Sequence, residues 1–459
     1  ESWVACPTLY EQTLKTLYSE KTGYNPVVVR KVTPYQLKKH GKLGIHKYVL
    51  QTPGRPRENQ MGCERDIIKA WGFLYKEKKW ERFGKFERKG SLNIPYGLYK
   101  AKNVTDPKTR KEKLHKGRPI APQTKHPMRT MLGKAGRAWY FLSQATQMNQ
   151  LALPTVAGIP EFIRESNAAM KAIGPDFDVH LFDIEGCFPN MPKEAIKMAT
   201  LDFISLAKRQ GRKGVWVPRA RTHKPAWDKP KKTALGTWMP LSELRDILVF
   251  ALENAYIRLP DGTICHQGKG IPMGDPLSPG MTIATCAWME REYLSGLKDF
   301  DKMFFRGARY MDDILLFSSH NHLWDRKEFI SDFQKSECYW KPLRLEPSEP
   351  GKFLETSFFK EGNQVRFRLK NENESTSKVW RYHDYRSRLD YTTKRATIKC
   401  ALRKANDMAS DAEQLFISAR AKCKEFLDLG YPSGILRHMC TRILYETENP
   451  TWREVRSYL

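Results

Sequence analysis

The alternation of apolar and polar positions is sharpest between Phe304 and Phe317. Two runs rich in aromatic and aliphatic residues enclose the pair Asp312 and Asp313. This pattern predicts two strands joined by a tight turn, with both carboxylates at its tip. Two acidic side chains held together are costly unless a cation binds them, and Mg²⁺ is the usual cation. From this segment alone, a solvated hairpin remains the alternative.

Other segments have a helical or strand-like periodicity. Apolar residues spaced by three and four positions from Leu241 to Tyr256 predict a packed amphipathic helix, and residues 277–297 have the same character. From about residue 384 to residue 459 the pattern is mostly helical, with one break between Gly430 and Pro432. Shorter strands are predicted at 343–346, 353–359 and 365–369.

Length and composition predict a folded chain with a strong positive charge. The 459 residues suffice for about three domains, and a hydrophobic content of 40% argues against disorder. Lys and Arg exceed Asp and Glu by 79 − 51 = 28. Such an excess suits the phosphates of a nucleic acid, although an acidic membrane surface would attract it too. No apolar run approaches the roughly 18 residues of a membrane span, so we expect a soluble protein with no membrane partner.

The nine cysteines are scattered, and no Cys-x-x-Cys pair occurs. This distribution gives no support to a zinc knuckle and suits a reducing compartment. The sequence begins at Glu1 rather than Met, so a targeting segment would not be visible.

Positive charge is concentrated in two segments. Residues 71–130 hold 17 Lys or Arg against five acids, with interleaved aromatic residues. These aromatic side chains either stack on bases in a nucleic-acid groove or turn inward to a core. Residues 208–232 hold 10 Lys or Arg against one acid, with two tryptophans and three prolines. We interpret this second segment as a loop insertion that is too basic and too rich in Pro for a core element.

Two further segments carry candidate chemistry upstream of the aspartate pair. An apolar run leads into Asp183, with Phe188 five residues later, which predicts a strand that ends in a carboxylate. Between Gln267 and Ser278 a loop rich in Gly and Pro precedes a helix, so its backbone could approach a ligand closely. Each pattern is common by itself. In this order, however, three carboxylates from two segments could hold two Mg²⁺ about 4 Å apart for in-line nucleotidyl transfer.

These three segments resemble motifs A, B and C of reverse transcriptases. Residues 182–188 match FDxxxxF, residues 272–279 match PMGxPLSP, and residues 310–313 match YMDD. The combination is specific because the three motifs occur in the same order and at close spacing.

The resemblance is greatest to the reverse transcriptases of Penelope-like elements, which are relatives of telomerase. It covers roughly residues 95–440 and also includes segments outside the three motifs, namely 96–100 and 118–120 in the fingers, 190–196 in the palm and 430–432 in the thumb. The chain departs from the family in its basic 208–232 insertion, in extra residues between Lys102 and Arg118, and in Met311, where Val is more frequent. No GIY-YIG nuclease pattern follows the thumb.

The resemblance implies a catalytic centre of three aspartates. Asp183 and Asp312 would bind two Mg²⁺ ions, or Mn²⁺ as an alternative, and Asp313 would support them. Phe188 occupies the position of the sugar gate, where an aromatic ring would collide with a ribose 2′-hydroxyl and favour deoxynucleotides. An ordinary core phenylalanine is the alternative for Phe188.

The resemblance also implies a nucleotide-binding set. Arg118 would grip the triphosphate through its bidentate guanidinium, with Lys100 and Lys116 as further candidates. Met273 and Gly274 would pack near the templating base pair. Solvated surface charges are the alternative for the three cations, and a plain turn is the alternative for the loop.

We therefore expect an α+β protein with the right-hand polymerase fold: fingers, a palm with an antiparallel sheet, and a helical thumb. The expected divisions are a basic, RNA-binding N-terminal extension (1–90), fingers (91–175), palm (176–375) and thumb (376–459). The expected function is an RNA-directed DNA polymerase that extends a DNA or RNA primer on an RNA template with dNTPs, with ribonucleoprotein partners.

Two other functions remain open from the sequence. One is a catalytically silent RNA-binding scaffold in a ribonucleoprotein, although such a domain usually loses its carboxylates. The other is an RNA-dependent RNA polymerase. A mobile-element enzyme would work in the nucleus, and a mitochondrial location is the alternative.

Overall fold

The computed structural model describes residues 7–26, 28–29, 49–50, 60–99, 117–146, 151–228, 235–335, 338–371 and 381–459. The chain divides into two compact units. Unit 1 comprises Glu1–Gln150, Glu185–Leu294 and Ser336–Arg344, and unit 2 comprises Leu151–Ile184, Ser295–Lys335 and Leu345–Leu459. Within the described ranges, no helix is long and apolar enough to cross a bilayer.

Helices and strands are numbered in chain order. The helices are α1 (Pro7–Leu17), α2 (Gln60–Glu77), α3 (Arg129–Ala145), α4 (Ile159–Ile173), α5 (Cys187–Asn190), α6 (Lys193–Arg209), α7 (Leu241–Glu253), α8 (Ser278–Gly296), α9 (Asp299–Met303), α10 (Arg326–Gln334), α11 (Tyr391–Asp407), α12 (Ala412–Asp428), α13 (Ser433–Thr447) and α14 (Thr451–Tyr458). The strands are β1 (Tyr24–Pro26), β2 (Val28–Val29), β3 (Val49–Leu50), β4 (Tyr96–Tyr99), β5 (Gly117–Ile120), β6 (Phe177–Ile184), β7 (Gly214–Pro218), β8 (Gly236–Pro240), β9 (Tyr256–Arg258), β10 (Ile264–Gln267), β11 (Phe305–Tyr310), β12 (Asp313–Ser319), β13 (Leu345–Pro347), β14 (Lys352–Phe353), β15 (Thr356–Glu361) and β16 (Gln364–Leu369).

Unit 2 is built around a four-stranded antiparallel sheet in the order β11-β12-β6-β13. Successive residues of β6 point to opposite faces of the sheet. Leu181 belongs to a buried cluster with Ile163 of α4, Phe317 of β12 and Phe367 of β16. Phe182, its neighbour, packs against Phe333 of α10, with ring centroids 6.1 Å apart. Both faces of the sheet are therefore covered, which explains the apolar runs on each side of the aspartate pair.

The helices α11 to α14 of unit 2 pack around a core that includes Leu402, Phe426, Met439 and Trp452. The predicted helical character of this segment and the break at Gly430 to Pro432 are confirmed, but the prediction of only one break is wrong. The chain also breaks between Asp407 and Ala412 and between Thr447 and Thr451. The first of these breaks ends at an N-cap, because the Asp411 side chain accepts a hydrogen bond from the backbone N–H of Gln414.

Four aromatic residues of the basic segment 71–130 belong to the core of unit 1, whereas Phe73 and Tyr96 are exposed. Trp71, Tyr75, Trp80 and Phe83 are each 1% exposed. The indole of Trp80 donates a hydrogen bond of 3.0 Å to the carboxylate of Glu243. Four of the proposed stacking residues are thus unavailable to bases, because packing buries them and leaves the charged residues between them outside.

The basic insertion also contains a core element, so its interpretation as a loop throughout is wrong. All five residues of β7 are buried, and β7 pairs with β8 in an antiparallel ladder from Gly214 opposite Pro240 to Pro218 opposite Gly236. The sequence Gly-Val-Trp-Val-Pro is apolar, and the surrounding cations hide this short run when composition is averaged over 25 residues.

The helix predicted to reach Tyr256 ends at Glu253, because Asn254 bonds back through its backbone and side chain to the carbonyl of Phe250. Tyr256 begins β9 instead. The other predicted helix is confirmed as α8, and the strands predicted at 343–346 and 365–369 correspond to β13 and β16. The single strand predicted at 353–359 is divided into β14 and β15, with Leu354 between them at a φ of 53°.

Candidate active site

Strand pairing in unit 2 brings two of the predicted aspartates directly opposite each other. Asp313, the first residue of β12, faces Asp183 near the end of β6. The backbone N–H of Ile184 donates to the carbonyl of Asp312 at 2.9 Å. Asp183 and Asp313 thus form a pair without mutual backbone hydrogen bonds, the type with Cα atoms about 4.5 Å apart and side chains closest. Both carboxylates lie on one face and are partly exposed.

A buried arginine supports the turn that carries Asp312. Met311 has a φ of 57°, a left-handed backbone that is rare for a residue with a side chain. Arg309 is 0% exposed, and its guanidinium donates to the carbonyl of Met311 at 2.9 Å. The backbone of Arg309 bonds in turn to Leu151 and Leu153 at 2.6 and 2.7 Å. The side chain and backbone of Arg309 therefore connect the turn to the neighbouring strand segment.

Sequence reasoning missed Arg309. The available signal was an arginine flanked by apolar residues, directly before the Tyr-Met-Asp-Asp box. A fully buried cation is costly unless its donors are satisfied, so its position in a strand core points to a structural role beside the aspartates.

The donor set of this turn suits a hard divalent cation. Carboxylate oxygens are the ligands that Mg²⁺ prefers, and Mg²⁺ commonly takes one or two protein carboxylates together with substrate phosphates. Among the residues that the structure describes, no three His, Cys, Asp or Glu side chains gather closely enough to hold a metal ion. Asp183, Asp312 and Asp313 therefore do not form a closed three-ligand site in the described part of the chain.

Unit 1 contains the second group of predicted residues, and its glycine-rich loop contacts the segment of Phe188. The N–H of Ile271 donates to the carbonyl of Phe188 at 2.8 Å. Gly270 has a φ of 65°, and a Cβ there would lie 2.3 Å from the carbonyl oxygen of Pro189. Only glycine allows this approach, which fixes the half-buried Phe188 beside the loop.

The same loop also contacts the strand that carries Arg118. The N–H of Ala121 donates to the carbonyl of Met273 at 2.7 Å. Gly274 has a φ of 102°, and a Cβ there would lie 3.2 Å from the backbone of Ala121. Arg118 itself is exposed on β5, three residues before Ala121. The loop therefore links the segments of Phe188 and Arg118 within one unit.

Sequence reasoning missed a buried acid in this loop. Asp275 accepts hydrogen bonds from the backbone N–H of Leu277 at 2.7 Å and from the Gln123 amide. Burial raises the pKa of Asp275 to about 6, and these two hydrogen bonds oppose the rise. Asp275 lines a cavity of about 10 Å³, the space of one water molecule, together with Asn93 and His126. Burial lowers the pKa of His126 to about 3.

The predicted site residues thus fall into two groups that the structure assembles separately. Asp183, Asp312 and Asp313 belong to unit 2. The residues of unit 1 are Phe188, Arg118, Met273 and Gly274. The two remaining candidates, Lys100 and Lys116, lie outside the described residues.

No model of a known protein family matches the sequence, and no curated protein matches it. Among solved structures, the chain is similar to telomerase from Candida albicans in complex with a TWJ fragment of telomeric RNA. The two are 11% identical with a TM-score of 0.50, over 85% of this chain and 65% of that chain. The chain thus spans less than two thirds of the telomerase that it matches.

Two other similar structures are telomerase from Candida tropicalis in complex with a TWJ fragment of telomeric RNA and the 3Dpol RNA-dependent RNA polymerase of a sicinivirus. The first is 10% identical with a TM-score of 0.46, over 85% of this chain and 67% of that chain. The second is 12% identical with a TM-score of 0.42, over 98% of this chain and 86% of that chain. The likeness to the Candida albicans telomerase shows that this mixed helix and sheet chain has the fold of a right-hand polymerase.

Proposed function

We propose that this chain is an RNA-directed DNA polymerase that extends a primer 3′ end on an RNA template by two-metal nucleotidyl transfer. The observation that carries the proposal is the register between β6 and β12. It sets Asp183 opposite Asp313, with Asp312 in the adjoining turn. A palm sheet that serves only as a scaffold has no need of three partly exposed acids at one end, where they repel one another.

Asp183, Asp312 and Asp313 would hold the two Mg²⁺ ions, for which Mn²⁺ could substitute. When bound, the ions lower the pKa of the primer 3′-hydroxyl and neutralise charge on the triphosphate. Arg309 would keep the turn in its left-handed conformation, so that the carboxylates are oriented before a nucleotide arrives.

Unit 1 would supply the nucleotide contacts. Phe188 would collide with a ribose 2′-hydroxyl and so select dNTPs, and the contact of its backbone with Ile271 supports a fixed position for this side chain. Arg118 would bind the triphosphate, and its exposure on β5 leaves it accessible to phosphate oxygens. Met273 and Gly274 would lie near the templating base pair.

The remaining assignments follow from the resemblance to Penelope-like reverse transcriptases and stay proposals. Lys100 and Lys116 would assist Arg118. The fingers, palm and thumb would follow the divisions at residues 91, 176 and 376, after a basic RNA-binding extension. The enzyme would act on a DNA or RNA primer, with ribonucleoprotein partners, in the nucleus or alternatively in mitochondria.

The test is primer extension on an RNA template with dNTPs and Mg²⁺. We expect wild type to extend the primer and Asp312→Ala and Asp313→Asn to lose at least about two orders of magnitude in rate. The matched control is Asp299→Asn, which removes one acid whose side chain is 99% exposed, and it should extend normally. Loss of extension in the control as well would point to a general electrostatic effect instead of a metal site.

Two further results separate this proposal from its alternatives. In a reverse transcriptase, Phe188→Ala should gain ribonucleotide incorporation, whereas an RNA-dependent RNA polymerase should keep its NTP use unchanged. If wild type extends nothing and yet binds RNA with a steep salt dependence, the chain is an RNA-binding scaffold and the proposed function is wrong.

A further inference from the structure

The basic insertion presents three cations in a short loop that the catalytic roles above do not use. Arg219, Arg221 and Lys224 lie between β7 and Ala226, and all three are exposed. The chain then turns back, because the backbones of Trp216 and Ala226 exchange two hydrogen bonds of 2.8 and 3.0 Å. We name residues 214–228 the basic hairpin. It is part of unit 1.

Arg137 of α3 binds the backbone of the basic hairpin. Its guanidinium donates to the backbone carbonyls of Pro218, Ala220 and His223 at 2.7, 3.1 and 2.8 Å. Burial lowers the pKa of Arg137, and the neighbouring charge of Arg221 lowers it further. The loop backbone thus surrounds the Arg137 guanidinium, while the cations of the loop itself are exposed.

The other side of the basic hairpin is held by aromatic packing. The ring of Trp227 meets Phe141 of α3 edge to face, with centroids 5.1 Å apart. The Arg212 guanidinium lies over the Trp227 ring, 5.5 Å from its centroid, and 3.8 Å from the Asp228 carboxylate. A loop anchored at both ends presents its cations with little further loss of conformational entropy on binding.

Most of the positive charge of this surface has no acidic partner among the residues that the structure describes. Asp228 is the one acid between residues 208 and 228, and it lies beside Arg212. Within the described part of the chain, none of the exposed cations around the basic hairpin forms an ion pair. These cations are Lys208, Arg209, Lys213, Arg219, Arg221 and Lys224. A protein tolerates such a cluster of like charges on an ordered surface best when a polyanion binds there.

The aromatic residues decide which form of polyanion fits. Single-strand binding surfaces combine cations with aromatic rings on which bases stack. Trp216 is only 6% exposed, and Trp227 is engaged with Phe141. Trp238 lies outside the insertion, on β8 opposite Trp216, and is 37% exposed. A surface of cations with so little stacking area suits the phosphate backbones of a duplex, whose bases are already stacked.

We propose that the basic hairpin binds the phosphate backbone of a double-stranded segment of RNA, outside the nucleotide-addition site. The choice of RNA over DNA rests on the proposed function, which brings an RNA template to this protein. Recognition would be by charge and helix shape rather than base sequence, because side chains cannot read the base edges in the deep, narrow major groove of an RNA duplex.

The test compares the salt dependence of duplex binding by the full chain and by the triple variant Arg219→Gln, Arg221→Gln and Lys224→Gln. Fluorescence anisotropy with a labelled 20-base-pair RNA duplex would be measured over a salt series. The association constant K falls as salt rises, and each lost phosphate contact makes the slope of log K against log salt less steep by about 1. The slope of the triple variant should therefore be less steep than that of wild type by about 3, and the variant should bind the duplex at least about tenfold more weakly.

A matched control removes the same charge elsewhere, with Lys298→Gln, Lys327→Gln and Lys335→Gln, three exposed lysines of unit 2. It should keep the wild-type slope. Equal slopes for the triple variant and this control would overturn the proposal. Single-stranded RNA or a DNA duplex losing affinity as strongly as the RNA duplex would overturn the assignment to double-stranded RNA.

Asp312→Ala serves as a second control that separates this inference from the proposed function. Binding of the duplex by the basic hairpin requires no catalysis, so Asp312→Ala should keep the full salt slope while it loses primer extension. If wild type shows no polymerase activity but binds the duplex, and the triple variant loses this binding, the binding surface is supported and the proposed polymerase function is wrong.

Discussion

Gly270→Ala should displace the segment that carries Phe188, and the structure allows the size of the effect to be worked out. The φ of Gly270 is 65°, and a left-handed backbone costs an alanine about 1–2 kcal/mol more than a glycine. The new Cβ would lie 2.3 and 2.4 Å from the carbonyl oxygens of Pro189 and Phe188. Both are backbone atoms, so no rotamer change relieves the overlap, and one segment must move.

That movement should also break the hydrogen bond of 2.8 Å from Ile271 to the Phe188 carbonyl. Its net contribution is about 1 kcal/mol. Together, the backbone strain and the lost hydrogen bond lower the free energy of unfolding by about 2–3 kcal/mol. For a domain of this size, the melting temperature should fall by roughly 4–12 °C.

The assay is thermal unfolding followed by circular dichroism, together with the ratio of dNTP to NTP incorporation. Gly268→Ala is the matched control from the same loop. Its Cβ would meet only the side-chain amide of Asn25, at 2.7 Å, and that amide can rotate away. Gly268→Ala should therefore melt within about 2 °C of wild type.

Two results would contradict the prediction for Gly270→Ala. Equal melting of the two alanine variants would mean that the Gly270 contact contributes nothing to stability. A destabilised Gly270→Ala that keeps the wild-type preference for dNTPs would mean that the position of Phe188 does not control sugar selection.

Two other predictions concern the buried groups that sequence reasoning missed. Arg309→Met removes the donor to the Met311 carbonyl, so the rate of primer extension should fall at least about tenfold with unchanged primer–template affinity. Arg306→Met, at an exposed position of the same strand, should change neither, and equal losses in both variants would argue against a positioning role. Asp275 has a pKa raised to about 6 by burial, so the folded state binds the extra proton and stability falls as pH rises from about 4 to 6. Over this pH range the free energy of unfolding should fall by about 3 kcal/mol. Asp275→Asn should remove this pH dependence, because an amide does not titrate and the Gln123 amide can reverse to pair with it. Urea unfolding at both ends of this pH range measures the difference between the two proteins.

Local patterns in the sequence were sufficient for the hairpin around Asp312 and Asp313, for α8 and for the strands after residue 342. These elements have an apolar periodicity of their own, with turn residues at their ends, and this determines the backbone conformation over short stretches. The order of the three motifs predicts that the acids and the loop act together, and this stays a prediction. The boundaries were less well predicted where a local hydrogen bond decides them, as at Asn254.

Only the tertiary structure decided which residues meet and which are buried. Asp183 and Asp313 are 130 positions apart, and their pairing depends on strand register, which no local pattern specifies. Long-range packing likewise decides which cations and aromatic residues of unit 1 are exposed. Composition could not tell that Trp71 and Trp80 are core residues, or that β7 is buried while the loop after it stays exposed. Apolar periodicity indicates that a face is buried, but long-range packing selects the partner that covers it, and with it the charges that remain free to bind.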